Sequence, residues 1–290
     1  MGFISQFLGK ILIYIYENLS FGSYGLAIIL FTLLIKILLL PLTVKQYKSS
    51  AKLREIQPLI QEVQRKYKND KDKQAQEMMK IYQEHNCSPT GGCLTSLIQL
   101  PILFSLLYVV RSPLTYMFNM TQEQITELIK IAGLPEDIAT KSGYWQMDVA
   151  MKSGKLDMVE NFGIFDMNLG LVPKLNPFGD VATYLPLLLL VILAVVTTYI
   201  STKVMMDLTQ SNTNTTANNS SKDPKNKSAE DMSASMSKSM MFVAPAMTAL
   251  ISFQAPAALV LYWLVNNVFQ MLQQFFIHKV ILKKKEDQVK

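Results

Sequence analysis

The stretch Y-G-L-A-I-I-L-F-T-L-L-I-K-I-L-L-L-P-L-T-V, Tyr24 to Val44, decides the fold class. A helix needs about 20 apolar residues to cross a bilayer, and this run is long enough and apolar enough to do so. Near its middle sits one cation, Lys36. A lysine at the centre of a spanning helix costs roughly 2.5–3.5 kcal/mol, so it is not needed for anchoring alone. Lys36 lies eight residues from Val44, roughly 12 Å along a helix. A lysine stem covers only part of that by snorkelling. Thr32, Lys36 and Thr43 fall at spacings of four and seven, which places them on one helical face. Two readings follow: a lysine that snorkels or pairs with a phosphate, or a lysine facing a wet cavity within the membrane.

Composition agrees with the membrane class. Half of the 290 residues are hydrophobic and only 17% are charged, little for a soluble chain of this size. The apolar residues come in blocks. The formal charge of +6 is unevenly placed, and its distribution reads as topology rather than nucleic-acid binding. The cysteines, Cys87 and Cys93, have only a lone His85 near them and do not make a zinc pattern. The first segment has no basic start, no small-residue cleavage site and no cysteine for lipid attachment, so no cleavable leader is expected.

Five spans follow from the chain in order. Residues 1–20 carry Phe3, Phe7, Leu8, Ile11, Leu12 and Ile15 at helical spacing, an amphipathic helix lying in the interface or packed on protein. Residues 21–44 hold the first span. Residues 45–92 form a helical hairpin with a thin apolar seam and a break at Asn69-Asp70. Between Lys45 and His85 there are ten Lys or Arg against six Asp or Glu, which puts the hairpin in the cytoplasm. Residues 93–112 are a short second span containing Gln99 and Pro101. Residues 113–180 are extracytoplasmic, with Thr121 predicted to cap a helix running to Ile131 and Asn161–Gly170 expected at the membrane surface. Residues 181–206 are the third span. Residues 207–238 are rich in Ser, Asn and Thr and read as a disordered cytoplasmic loop. Residues 239–277 make the fourth and fifth spans, a short hairpin turned at Gln254-Ala-Pro256. Residues 278–290 are a basic cytoplasmic tail, suited to topology, lipid head groups or ribosomal RNA. The fold class is therefore an all-α integral membrane protein with the N-terminus outside and the C-terminus inside.

The fifth span carries a second polar pattern. Tyr262, Asn266, Gln270 and Gln273 recur at helical spacing, with Trp263, Asn267 and Gln274 alongside. Amides are unfavourable against lipid and need partners or water. They act either as interhelical hydrogen-bond glue or as the lining of the cavity faced by Lys36. No span carries Asp or Glu, and no G-x-x-x-x-G-K-[ST] or H-E-x-x-H occurs. The sequence thus points to no enzyme, cofactor, metal or small-molecule substrate, and to a device working by solvation and shape.

Three blocks carry a resemblance: G-G-C-L-T-S-L-I-Q-L-P-I-L-F-S-L (91–106), F-D-M-N-L-G (165–170) and A-P-A-A-L-V-L-Y-W-L-V-N-N-V-F-Q-M-L-Q-Q (255–274). With the cation-bearing span and the basic hairpin, the chain resembles the YidC-type membrane protein insertases, relatives of the oxidase-assembly and albino insertases, in a short form without the large periplasmic domain. The resemblance implies five helices around a hydrophilic groove open to cytoplasm and lipid, closed to the outside. It implies an insertase and chaperone acting on nascent membrane proteins in a bacterial plasma membrane. The ribosome and membrane lipids would be its partners, and work beside the Sec translocon is left open. The usual groove cation of such proteins is Arg; here it is Lys36, which lacks the guanidinium fork. The groove residues so expected are Lys36, Thr32, Gln99, Thr198, Tyr262, Trp263, Asn266 and Gln270. The other reading of the same pattern is a transporter or channel with an intramembrane anion site.

Overall fold

The computed structural model describes residues 2–87, 94–135, 137–161, 166–175, 180–209 and 229–277. Its helices in chain order are α1 (Gly2–Asn18), α2 (Tyr24–Leu38), α3 (Leu40–Lys66), α4 (Lys71–Glu84), α5 (Leu94–Arg111), α6 (Pro113–Tyr116), α7 (Gln122–Ile131), α8 (Ile138–Lys141) and α9 (Trp145–Lys152). Two short strands follow, β1 (Val159–Asn161) and β2 (Asp166–Asn168), and then α10 (Val181–Thr209), α11 (Ala229–Ser252) and α12 (Ala257–Phe276). The chain divides into two compact units. One comprises Met1–Leu38, Leu97–Thr198 and Ala246–Phe269; the other comprises Leu39–Ser96, Tyr199–Pro245 and Gln270–Lys290.

The run from Tyr24 to Val44 is not one helix. It breaks at Leu39, and α3 starts with Pro41 in its first turn. The physical reason is Pro41: it has no N–H to give to Ile37, and its ring meets that carbonyl, whereas a first turn tolerates proline because its N–H groups are unpaired there. Thr43 therefore sits on α3, donating to the Leu39 carbonyl at 2.9 Å, and the face expected to join it to Thr32 and Lys36 is interrupted. Among the described residues, Val181–Met206 is the one unbroken helix long and apolar enough to cross a membrane. Tyr24–Leu38 and Leu40–Leu53 reach that standard only as a pair, and Leu100–Arg111 and Met241–Ser252 are shorter apolar helices.

Two further differences from the sequence reading have local causes. The structure is not wholly helical: β1 and β2 pair antiparallel, Glu160 opposite Met167. The expected disordered loop does not extend to 238, because α11 already begins at Ala229. Ala229, Glu230, Met232, Ala234 and Met236 outweigh the serines between them in helix propensity. At its other end α10 runs on to Thr209, and residues 210–228 of that loop, residues 88–93 and the basic tail lie outside the described residues.

In the first unit α1 packs on α2 and α6. Ser5, Leu8, Gly9, Leu12 and Ile15 form its buried stripe, while Phe3, Phe7 and Tyr14 stay exposed. α1 is thus packed on protein along one stripe and apolar along another. At Gly9 the backbones of α1 and α6 approach so closely that a Cβ would overlap the Tyr116 carbonyl. Backbone cannot swing aside as a side chain can. Gly9→Ala is expected to cost about 1–3 kcal/mol, the usual range for overpacking. A lowered unfolding midpoint in detergent would show it, with Gly2→Ala unchanged, since nothing lies within 4 Å of a Cβ there. Farther along, Thr121 and Gln124 form the predicted capping box of α7, with bonds of 2.9 and 3.4 Å.

In the second unit α3 and α4 make a hairpin. Ile56 and Ile60 are buried, and the Gln74 amide donates to the Gln64 carbonyl at 3.2 Å across the pair. Asp70 caps α4 by accepting from Lys73 N at 3.0 Å. The seam is narrow, for Leu59 and Met79 remain exposed.

Candidate functional site

The site is built on α2. Ala27, Ile28, Phe31, Thr32 and Ile35 bury one face of it, the i, i+3, i+4 stripe of a packed helix. Thr32 is 1% exposed, and its hydroxyl donates to the Ile28 carbonyl at 2.7 Å. Its polar atom is thus satisfied within its own helix. Lys36 lies one turn on, at the edge of this stripe, and is half-buried.

The N-terminus of α2 is held from far away in sequence. The Glu160 carboxylate, on β1, accepts from Ser23 Oγ at 2.7 Å and from Gly25 N at 2.6 Å. Ser23 Oγ in turn accepts from Leu26 N at 3.0 Å. Two of the N–H groups a helix start leaves unpaired are so satisfied, and a negative charge sits at the positive end of the helix dipole. Sequence reasoning missed Glu160. No local signal marks it, because its partners lie 135 and 137 positions away.

The same segment holds the start of α12. Ala257 N donates to the Leu171 carbonyl and Ala258 N to the Leu169 carbonyl, both at 2.8 Å. Leu169 N donates to Met158 O at 2.8 Å, tying this stretch to the β1 side. The Tyr144 hydroxyl donates to Gln254 O at 3.1 Å, and burial pushes that hydroxyl's pKa up, so it keeps its proton. One small segment therefore fixes the N-terminal ends of both helices that carry the expected polar patterns.

On α12, Tyr262 and Asn266 are buried, Trp263 lies beside them half-buried, and Asn266 is 8% exposed. The Asn266 Oδ1 and the Ser105 Oγ of α5 are buried without a hydrogen-bond partner among the described residues. Ser105 was not foreseen. Asn267 behaves differently: its amide donates to Thr198 Oγ1 at 2.8 Å, while Thr198 bonds the Ala194 carbonyl at 2.7 Å and meets Thr248 Oγ1 at 3.5 Å. Thr198 thus joins a polar knot across α10, α11 and α12, the glue role that membrane interiors favour. Gln270 belongs to the second unit. Gln99 lies on α5, its side chain outside the described residues. No group of three metal-ligating side chains occurs among the described residues.

The family described as the 60Kd inner membrane protein matches residues 15–285. The chain belongs to that family. A relative from Clostridium perfringens is 33% identical over 91% of this chain and 82% of its own. One from Clostridium tetani is 34% identical over 89% and 83%, and one from Fusobacterium nucleatum 31% over 89% and 87%. Each carries the name membrane protein insertase YidC. These family matches cover α2, α5, α10, α11 and α12 together, so the similarity takes in both polar patterns rather than one apolar helix.

Proposed function

We propose that the chain is a membrane protein insertase of a bacterial plasma membrane. The observation that carries this is similarity to relatives of that name along about nine-tenths of the chain. In this reading five spans form from α2 with the start of α3, α5, α10, the apolar half of α11, and α12. The α3–α4 hairpin and the basic tail face the cytoplasm, and the Glu160 segment faces outside.

The mechanism needs no covalent step. Lys36 and the amide face of α12, with Tyr262, Trp263 and Asn266, line a groove that keeps polar parts of a nascent chain solvated. Thr198 supports that face through Asn267, and Gln99 belongs to it. Lys36 attracts acidic residues of the translocating segment, more strongly than in water because the surroundings are less polar. The unpartnered Asn266 carbonyl offers a passing N–H a hydrogen bond. The client's apolar helix then leaves sideways into lipid, driven by burial of its surface. The α3–α4 hairpin receives the chain, the tail holds the ribosome, and the same groove chaperones helices awaiting partners.

A photo-crosslinker at position 36, with a ribosome-stalled membrane protein as client, tests the reading. The expected adduct follows the client's first apolar segment as the stall point moves along the chain. Absence of any adduct, with position 36 still reached by a water-soluble probe, would refute the groove.

A further inference from the structure

A second feature of the first unit is not used by this mechanism. Between α1 and α2 lies an open cleft of about 520 Å³, within the roughly 300–1,000 Å³ common for ligand pockets. Phe7, Ile11 and Tyr14 line it from α1, and Leu30, Leu34 and Ile37 from α2. Phe7, Tyr14 and Ile37 are 58, 61 and 57% exposed, so the cleft is a large uncovered apolar surface. Its α2 wall, spaced by three and four residues, lies roughly 120° around the helix from Lys36. Lys36 is not among its lining residues.

The charge on its wall identifies the occupant. Lys10 is the one charged residue lining the cleft; it is exposed and makes no ion pair or hydrogen bond among the described residues. A trough of Phe, Ile, Leu and Tyr carbon with one unpaired cation is complementary to an acyl chain ending in an anionic head. We propose that this cleft binds one acyl chain of an anionic phospholipid, with Lys10 Nζ paired to its phosphate. Tyr14 sits one turn from Lys10 on the same face, where its ring packs on the chain and its hydroxyl reaches the polar layer. An apolar segment of a client would fill the carbon trough but leave Lys10 unpaired. A second copy of the chain would bring another Lys10 to the same face. Lipid satisfies both halves. The inference uses the membrane location from the family reading, but not the groove or the insertase mechanism.

The test uses Tyr14→Trp at this exposed position as the sole tryptophan, with Trp145 and Trp263 replaced by Phe, in vesicles with lipids brominated on their chains. Brominated phosphatidylglycerol is expected to quench this tryptophan with about fivefold preference over brominated phosphatidylcholine, equivalent to about 1 kcal/mol for one lysine at an anionic surface. Lys10→Gln on that background abolishes the preference, and Lys10→Arg keeps it. Equal quenching by both lipids would make the cleft ordinary lipid contact and overturn the proposal. So would a preference that survives Lys10→Gln. No quenching by either, with helicity intact, would mean that protein covers the cleft and would equally overturn it. None of these readouts depends on insertion activity, so this proposal and the insertase reading fail separately.

Discussion

Lys36→Gln is expected to slow insertion of clients with acidic translocated tails by about tenfold, while clients with uncharged tails stay within about twofold. Two unit charges 4 Å apart interact by about 4 kcal/mol at an effective dielectric of 20. A moving, partly hydrated tail realises only a fraction of that. About 1.4 kcal/mol, a factor of ten in rate, is a conservative share. Lys36→Arg keeps the charge and is expected to keep the rate; Lys36→Glu repels the tail and falls below Gln. Unfolding is checked separately: glutamine keeps a polar head at this half-buried position, and the unfolding midpoint of Lys36→Gln in detergent is expected to match the parent. The measurement is protease protection of the translocated tail in proteoliposomes holding the purified protein. Equal slowing of acidic and uncharged tails would mean that Lys36 acts on α2 and not on the client.

What the sequence could show divides along physical lines. Signals carried by neighbours in the chain were legible. The Thr121–Gln124 box lies within one turn, and the helix over Val181–Met206 is a continuous apolar run long enough to cross a membrane. The break at Leu39 was also written locally, in Pro41, but the apolar count from Tyr24 to Val44 outweighed it. Partnerships across the chain left no trace. Glu160 was one of nine acids in residues 112–180, and its place at the start of α2 follows only from the docking of β1. The amide pattern of α12 marked a row of polar side chains but not which of them find partners. Asn267 points into a knot with Thr198 and Thr248, and Asn266, one residue away, is buried with no partner for its carbonyl oxygen among the described residues. Both residues fit an amide stripe equally well. Which one finds a hydroxyl depends on where Thr198 of α10 falls, a matter of packing rather than of period.

Glu160→Ala is the second substitution with a large expected effect, and it separates structure from electrostatics at Lys36. It removes two short bonds, to Ser23 Oγ and Gly25 N, and leaves the buried Gly25 N–H without an acceptor. Hydrogen bonds to a charged group contribute about 1.5–3 kcal/mol each, and loss of a helix cap alone costs about 1 kcal/mol. A loss of about 2–4 kcal/mol is expected, seen as a lower unfolding midpoint in detergent and faster exchange of the Gly25 and Leu26 amides. Glu160→Gln keeps an acceptor oxygen but not the charge, and should fall between Ala and the parent. Glu123→Ala, in the exposed first turn of α7, loses only a solvent-screened dipole contact and should cost less than about 1 kcal/mol. The loosening stays at the start of α2, since Ala27, Ile28 and Phe31 bury the following turns. Lys36 stands eleven residues beyond Gly25, roughly 16 Å along the helix, and keeps its charge and neighbours. Glu160→Ala should therefore slow acidic and uncharged clients alike, in contrast to Lys36→Gln. Exchange at Gly25 no faster than in the parent would mean that the carboxylate is not what holds the helix. A selective defect on acidic tails would mean that Glu160 acts on the charge at Lys36 after all.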